Sequence, residues 1–264
     1  MDADVLRSAD TAAVAEISYI DPASVPRAVA LVPLRLDDHI CFALPYSQAG
    51  LAQEIGRSPH ALVSFTDSRL AYKGWRALLC SGNTHVSPDP EGELFVERLL
   101  EQELRKHAPS RRLIDTFLMR RDHWWYVPRL IVRFYPDGPA RPVARRHSLD
   151  GALLIWRAND GLDLDVVQVS DWQADQIAVR SLAGRDLEGP SRDAVLFWHN
   201  FEVPERDRVA QFSAWGTLQR GNLTVKSRHG TRDLGRPATL RERLRSLREL
   251  ERACRGGLRG AGSR

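Results

Sequence analysis

Residues 26–65 read PRAVALVPLRLDDHICFALPYSQAGLAQEIGRSPHALVSF, and their pattern indicates the architecture of the first half of the chain. Apolar residues alternate with polar or small ones in 27–34 and 39–43, and 61–65 is a short apolar run. Both patterns are typical of β-strands, and Asp37-Asp38 predicts a turn between the first two. The stretch therefore predicts three short strands.

Two intervals break this alternation and predict helices. In residues 47–55, Leu51 and Ile55 lie one helical turn apart, and Ser47 is placed to accept hydrogen bonds as the N-cap. Residues 91–106 carry apolar side chains at a spacing of three to four, which is the pattern of an amphipathic helix.

Three further strands are predicted outside this stretch. Residues 13–19 and 74–81 alternate like the first strands, and residues 124–134 read WWYVPRLIVRF. Pro128 places the last of them at a sheet edge or a bulge, because proline has no N–H to donate to a ladder. Six short strands with two interposed helices predict a small β-barrel.

The second half of the chain repeats the first in a shortened form. A linker rich in proline and glycine covers residues 136–142, and apolar pairs then recur in the same order at offsets of 132 to 140 residues. The recurring pairs are Ile17-x-Tyr19 with Leu154-x-Trp156, Val29-x-Leu31 with Val167-x-Val169, Ile40 with Ile177, residues 61–65 with residues 193–197, and Trp75-x-x-Leu78 with Trp215-x-x-Leu218. The series predicts a tandem duplication whose second copy lacks the long helix and the last strand.

The end of the chain predicts a basic helix. Leucines recur at helical spacing in residues 239–252, and Thr239 with Glu242 forms a capping-box pattern. Gly256-Gly257 predicts the helix end, and residues 258–264 are expected to be disordered. Residues 228–264 carry a net charge of +7, which is compatible with binding to nucleic acid, but the interleaved acidic residues favour a solvated helix face.

Composition excludes several classes of protein. Of the 264 residues, 43% are hydrophobic and 27% charged, as in ordinary globular domains. No run of 18 apolar residues predicts a membrane span, and the chain starts without a signal-peptide pattern. Three distant cysteines indicate neither a disulfide framework nor a metal clamp, and the eight histidines form no metal-binding motif. We therefore expect a cytoplasmic protein with no metal site and no membrane partner.

The stretch 26–65, the tryptophan-containing strand, the helix and WWYVPRLIVRF together resemble the FMN-binding split barrels of the pyridoxamine 5′-phosphate oxidase-like superfamily. Members are antiparallel barrels that generally form homodimers and hold the cofactor between two barrels. The resemblance implies a mainly β (α+β) fold of two tandem split β-barrels with a few helices and a C-terminal amphipathic helix. It implies a monomeric pseudo-dimer or a homodimer. The implied parts are a split barrel (8–135), a linker (136–147), a second, shorter split-barrel-like repeat (148–230) and a basic helix and tail (231–264).

The resemblance also implies a set of cofactor-binding residues. Arg27 and Val29 match the R-x-V-x-L pattern of the family's first strand, and Arg27 would hold the phosphate. Tyr46 and Ser47 would hold the ribityl–phosphate arm. Each has a structural interpretation too, Tyr46 as part of a turn and Ser47 as a helix cap.

A second group of implied cofactor residues surrounds Trp75. This side chain would form a wall of the ring site, with Lys73 and Arg76 beside it, although the residue types favour Trp75 as a core residue and Lys73 as a solvated strand residue. The chain departs from the family where a Ser-Arg-Lys motif normally grips the phosphate, because Ala49, Gly50 and Leu51 stand there. Each lost charge-assisted hydrogen bond removes about 1.5–3 kcal/mol.

Three functions follow from the resemblance. The first is an FMN-dependent oxidoreductase with a small-molecule substrate, in which no side chain can be named as catalytic. The second is a cofactor-free split-barrel protein that has lost the flavin phosphate site and binds another ligand or a partner. The third is a split barrel that binds deazaflavin (F420) or haem, with His199 and His229 as candidate haem ligands. Whether the protein is an enzyme stays open at this point.

Overall fold

Two β-sheets, one from each half of the chain, form the body of the protein. The computed structural model describes residues 2–158, 161–187, 191–203 and 208–262. The first sheet contains β1 (Ala15–Ile20), β2 (Pro26–Leu31), β3 (Leu34–Leu36), β4 (His39–Pro45), β5 (Ala61–Phe65), β6 (Leu78–Asp89), β7 (Arg129–Pro136) and β8 (Arg141–Pro142). The second contains β9 (Gly151–Ala158), β10 (Gly161–Val169), β11 (Gln176–Ser181), β12 (Arg192–Phe201), β13 (Val209–Gln219) and β14 (Asn222–Gly230).

Helices lie around the first sheet and at the end of the chain. They are α1 (Ala3–Thr11), α2 (Ala49–Arg57), α3 (Leu100–Lys106), α4 (Ala108–Ile114), α5 (Phe117–Asp122) and α6 (Leu240–Gly262). A π-helical turn at Phe95–Leu99 precedes α3, and 3₁₀ turns cover Tyr46–Gln48 and Trp124–Tyr126. Among the described residues, no helix is long and apolar enough to span a bilayer. The architecture is therefore mainly β with a few helices and a C-terminal helix, as the sequence predicts.

The two sheets share their strand pairing except at one place. The second closes as β10-β11-β14-β13-β12-β9, and the first runs β2-β1-β5-β6-β7-β4-β3 with β8 added to β6. If β1, β2, β4, β5, β6 and β7 are matched in order with β9 to β14, five of the six pairings of the closed barrel recur. The missing pairing is that between β2 and β4. The first barrel is therefore split between these two strands.

The predicted repeat needs two corrections. The second sheet does contain a counterpart of the final strand, because β14 takes the position of β7. The Trp75 and Trp215 pair is not equivalent, because Trp75 precedes β6 whereas Trp215 lies inside β13. Phe65 pairs with Leu78, and Phe197 at the matching position pairs with Ser213. By this register the offset between β6 and β13 is 213 − 78 = 135 residues, whereas the two tryptophans are 215 − 75 = 140 residues apart. The shared pairing order supports the duplication, which stays a prediction.

Several predicted boundaries in the first half also shift. Helix α2 begins at Ala49 with Gln48 at the N-cap position, so Ser47 lies in the preceding 3₁₀ turn and does not cap the helix. The stretch 124–134 is not one strand, because Pro128 cannot donate to a ladder and β7 begins at Arg129. Helices α1, α4 and α5 were not predicted, because each is too short to show a clear repeat of apolar residues.

Helix α6 begins as predicted but extends further. Glu242 accepts hydrogen bonds from the N–H and hydroxyl of Thr239, at 2.7 and 2.8 Å, which confirms the capping box. The expected end at Gly256-Gly257 is wrong, because the helix continues to Gly262. A Cβ at Gly257 would lie 2.2 Å from the carbonyl oxygen of Tyr46, so this glycine allows the close approach of the helix to the 3₁₀ turn. Residues 258–262 are thus helical, and residues 263–264 lie outside the described residues.

The two barrels pack against each other through a common apolar cluster. From the first barrel it includes Leu62 and Leu79, and from the second Ile155 and Phe197. All four side chains are buried. Each barrel also has its own apolar interior. The barrels therefore form one packed body, not two domains on a flexible linker.

A buried ionic network crosses the same interface. Arg146, at the end of the predicted linker, is fully buried and places its Nη2 atom 3.0 Å from Oδ2 of Asp67 and 3.7 Å from Oε1 of Glu16. Both carboxylates belong to the first barrel. The same guanidinium donates to the carbonyl oxygen of His199 at 3.0 Å and to its ring Nδ1 at 3.1 Å. Because His199 lies on β12, Arg146 ties the two barrels together.

Glu16 is the acceptor at the centre of this network. It receives hydrogen bonds from the hydroxyls of Ser64 and Thr66, at 2.9 and 2.7 Å, and from Nε2 of His199 at 2.9 Å. Burial by itself would raise the pKa of Glu16, but the bond from His199 and the charge of Arg146 hold it below the ordinary value of 4.5. Glu16 is therefore ionised.

His199 is neutral in this environment. Burial, followed by the charge of Arg146, lowers the pKa of His199 below its ordinary value of 6.5. Nε2 of the ring lies 2.9 Å from Oε1 of Glu16, and Nη2 of Arg146 contacts both ring nitrogens. His199 is therefore a buried side chain whose ring nitrogens are in contact with Glu16 and Arg146.

Removing the buried cation should be costly. We expect Arg146→Met to lower the free energy of unfolding by about 3–5 kcal/mol, because Glu16 and Asp67 would remain buried without their positive partner. The matched control is Arg145→Met, whose side chain is exposed, and which should change this free energy by about 0.5 kcal/mol or less. Urea denaturation measures both. Equal losses for the two variants would contradict the role of the network.

The neutral state of His199 predicts a pH dependence. Since its folded pKa is lowered, the unfolded chain binds an extra proton below pH 6.5, and stability falls as the pH falls through that value. Between pH 7.5 and 5.5 we expect His199→Gln to lose about 1 kcal/mol less than the unmodified protein. Urea titrations at the two pH values measure this, with His229→Gln on exposed β14 as control. An unchanged pH dependence in His199→Gln would show that the imidazole is not held neutral.

Candidate functional site

A groove opens where the first barrel is split. Its floor is formed by β2 and β4, from Ala30 to Val32 and from Phe42 to Pro45, and its far wall comes from the second barrel. Phe201 of β12 and Val209 and Gln211 of β13 form that wall. The cavity has a volume of about 200 Å³.

The absent pairing between β2 and β4 explains the position of this groove. A strand edge without a partner leaves backbone N–H and C=O groups that need other partners. At β2 the side chain of Gln211 supplies one, because its Oε1 accepts from the N–H of Ala30 at 3.4 Å. The second barrel therefore covers the open edge of the first and makes the crevice between them.

The polar end of the groove is formed by Glu103, His107, Tyr126 and Gln48. Oε1 of Glu103 accepts from the Ser110 hydroxyl at 2.5 Å and from Nη2 of Arg129 at 3.2 Å. Nδ1 of His107 lies 2.9 Å from the same hydroxyl. Oε1 of Glu103 is therefore bonded to two residues that do not line the groove, Ser110 and Arg129.

Arg129 is the counterion of Glu103 and has no exposed surface. Its guanidinium carbon lies 4.0 Å from the ring centre of Phe95 and 4.4 Å from that of Tyr126. Burial raises the pKa of Tyr126, so the phenol is neutral at physiological pH. Among the described residues that line the groove, Glu103 is acidic and none is a lysine or arginine. The groove therefore offers hydrogen bonds but no uncompensated charge.

Arg27, which the resemblance assigns to the flavin phosphate, is paired with Asp21. Nε of Arg27 lies 2.9 Å from Oδ2 of Asp21. Burial opposes ionisation of Asp21, but the N–H of Val25 and the guanidinium of Arg27 hold the pKa of this carboxyl below 3.8. Val29 packs against the interior of the first barrel. Neither Arg27 nor Val29 lines the groove.

Helix α6 covers the second predicted contact. Tyr46 is buried, and α6 packs against its 3₁₀ turn, which includes Ser47. Burial raises the pKa of Tyr46, and within the described residues its hydroxyl has no hydrogen-bond partner. The ribityl–phosphate position inferred for Tyr46 and Ser47 is therefore occupied by the chain's own helix.

The third predicted group lies in a turn before β6 instead of on a strand. The N–H of Trp75 bonds to the carbonyl of Tyr72 at 3.3 Å, and its ring packs against the first barrel's interior beside Arg145. Lys73 is exposed, and Nη1 of Arg76 pairs with Asp4 of α1 at 2.8 Å. The structure does not bring Lys73, Trp75 and Arg76 to the groove.

These placements do not fit the phosphate of FMN. A phosphate needs cations or several N–H donors. Ala49, Gly50 and Leu51 begin α2 without a polar side chain, and Arg27 already neutralises Asp21. Neither candidate haem ligand lines the groove, because His199 is enclosed in the ionic network and His229 is exposed on β14.

The sequence analysis missed the residues that do line the groove. For Glu103 a signal existed, since this charged residue follows Phe95 and Leu99 on the apolar face of a predicted helix. For Phe201, Val209 and Gln211 no local signal existed, because their role depends on how the second barrel packs on the first.

The solved structures to which this chain is similar include an FMN-binding protein and a haem-binding protein. One is a pyridoxamine 5′-phosphate oxidase-related, FMN-binding protein from Nostoc punctiforme, at 10% identity and a TM-score of 0.30 over 87% of this chain and 93% of that one. The other is a haem-binding protein from Mycobacterium smegmatis, at 12% identity and a TM-score of 0.32 over 97% of this chain and 99% of that one. No family model and no curated protein matches the chain.

Proposed function

We propose that this protein is a split-barrel small-molecule-binding protein that takes a mostly apolar, uncharged ligand in the groove between its barrels. The observation that carries the proposal is the lining of the groove. Both barrels contribute apolar side chains, and the Glu103 carboxylate is already bonded to Arg129 and Ser110. A charged ligand would lose its hydration there without gaining a counterion.

The groove also limits the size and polarity of the ligand. Its volume of about 200 Å³ is below the range of about 300–1,000 Å³ that drug-sized ligands occupy. The amide of Gln48 can donate and accept hydrogen bonds, and the amide nitrogen of Gln211 can donate them. A small molecule with an apolar body and one or two neutral polar groups matches these features.

The competing proposal is the FMN-dependent oxidoreductase that the resemblance implies. It rests on the Arg27-x-Val29-x-Leu31 pattern and on the barrel architecture. It requires Arg27 to leave Asp21 and requires the phosphate to reach a turn that α6 covers. The two proposals differ in one measurable property, which is whether the protein recognises a flavin phosphate.

Flavin titration separates the proposals. FMN and riboflavin differ only in the phosphate, so a site without phosphate contacts should bind FMN no more tightly than riboflavin. We expect the purified protein to be colourless and to show no preference for FMN in a fluorescence-quenching titration, with haemin and F420 as further ligands. Preferential FMN binding that Arg27→Ala abolishes would contradict the proposal and support the oxidoreductase.

Blocking the groove should remove ligand binding. The uncharged dye N-phenyl-1-naphthylamine becomes fluorescent in apolar sites, and it serves as the probe. Val209 lines the groove and is half exposed, so Val209→Trp should fill the opening and weaken dye binding about tenfold or more. The control Leu182→Trp changes a similarly exposed residue outside the groove. Equal dye affinity in both variants would show that the groove is not the binding site.

A further inference from the structure

A second and larger cavity lies between α5 and the end of α6. We call it the α5–α6 cleft, and it has a volume of about 710 Å³. Its lining residues are Pro90, Glu91, Val96, Phe117, Arg120, Arg121, Trp124, Val127, Pro128, Arg255, Leu258 and Arg259. None of them lines the groove between the barrels.

Large apolar side chains are exposed along this cleft. Phe117 is 72% exposed, Trp124 is 51% exposed and Val96 is 37% exposed. Leu118, next to Phe117 on α5, is exposed as well. Apolar surface that is clustered around a concave site marks a place where a ligand or partner removes it from water.

Arginines surround this apolar surface. Arg120 and Arg121 come from α5, and Arg255 and Arg259 come from α6. The guanidinium of Arg255 lies 5.0 Å from the ring centre of Trp124, so a cation and the apolar floor are in contact. Among the described residues that line the cleft, Glu91 is the acidic one. The cleft therefore combines an apolar floor with a rim of arginines, of which Arg121 pairs with Asp122 and Arg255 with Glu251.

The contacts of Arg120 and Arg255 leave N–H donors for a ligand. Nη1 of Arg120 reaches the carbonyls of Ile114 and Asp115 at 3.4 Å each, which are long hydrogen bonds. Nη2 of Arg255 pairs with Glu251 at 2.7 Å, through one of its five N–H groups. A carboxylate matches the fork geometry of a guanidinium and can accept two parallel bonds from it.

We propose that the α5–α6 cleft binds an amphiphilic monoanion of the acyl carboxylate class. The acyl chain lies on Phe117, Trp124 and Leu258, and the carboxylate lies among the arginines of α5 and α6. A cavity of about 710 Å³ is within the range of ordinary small-molecule sites, about 300–1,000 Å³. The proposal is independent of the groove between the barrels, which lacks a free charge.

The charge of the head group is the first test. Decanoate, decanol and decyltrimethylammonium share one chain length and differ in head-group charge. Isothermal titration calorimetry below micelle-forming concentrations should show decanoate binding about tenfold or more tightly than either of the others, because charge-assisted bonds to arginine add to the apolar contacts. Equal affinity for decanoate and decyltrimethylammonium would overturn the proposal.

Matched variants locate the binding site. Arg120→Gln combined with Arg255→Gln should weaken decanoate binding about tenfold or more. Arg241→Gln combined with Arg245→Gln removes the same charge from the exposed first half of α6 and should leave binding unchanged. Loss of binding in both double variants would show a non-specific charge effect and overturn the proposal.

A second matched pair tests the apolar floor without a folding cost. Phe117 and Leu240 are 72% and 74% exposed, so replacing either with serine removes few internal contacts. Phe117→Ser should weaken decanoate binding and Leu240→Ser should not. Equal effects of the two substitutions would overturn the proposal.

Anionic vesicles distinguish a free ligand from a membrane surface. The protein should not co-sediment with vesicles of phosphatidylcholine and phosphatidylserine, because a concave site encloses one acyl chain at a time and does not lie flat on a bilayer. Sedimentation with vesicles that depends on Phe117, in the absence of decanoate binding, would show that the same residues contact a membrane and would overturn the proposal.

Discussion

The arrangement of the two barrels depends on the buried ionic network around the guanidinium of Arg146. This guanidinium is enclosed by carboxylates of the first barrel and by the imidazole and backbone of His199 in the second. A buried cation of this kind gains little over an apolar core, since its desolvation offsets the attraction. Its effect is geometric, because only one docking of the barrels brings Glu16 and Asp67 of the first within reach of the Arg146 that His199 also contacts.

That docking determines where the groove between the barrels lies. The first barrel lacks the β2–β4 pairing that closes the second, and the network holds β12 and β13 opposite this opening. A split strand pair with apolar side chains therefore becomes a shared groove. The cations that a flavin phosphate would need lie elsewhere, with Arg27 on Asp21 and the arginines of α6 on the outer surface.

Local sequence patterns predicted the structure well where neighbouring residues alone determine a strand or a helix end. The apolar run at residues 61–65 is β5 at the predicted bounds, and the Thr239–Glu242 pattern caps α6. Trp75 shows the limit, because an aromatic in an alternating run looks like a strand residue although the strand begins three residues later. Gly257 shows another, because a glycine that usually ends a helix here allows the helix to touch Tyr46.

The candidate site was predicted less completely, for a physical reason. The existence of a crevice between two barrels follows from the doubled strand pattern, but its lining depends on contacts such as Gln211 with Ala30 that join residues 181 positions apart. The pairing of Arg27 with Asp21 is another contact that spacing alone did not reveal. Both are needed to decide whether the crevice accepts a phosphate.

Differential scanning calorimetry tests the central claim most directly, which is that the network and the shared apolar cluster make the two barrels one cooperative unit. The account predicts a single transition for the whole chain, with equal calorimetric and van't Hoff enthalpies. Two separate transitions, one for each barrel, would contradict it.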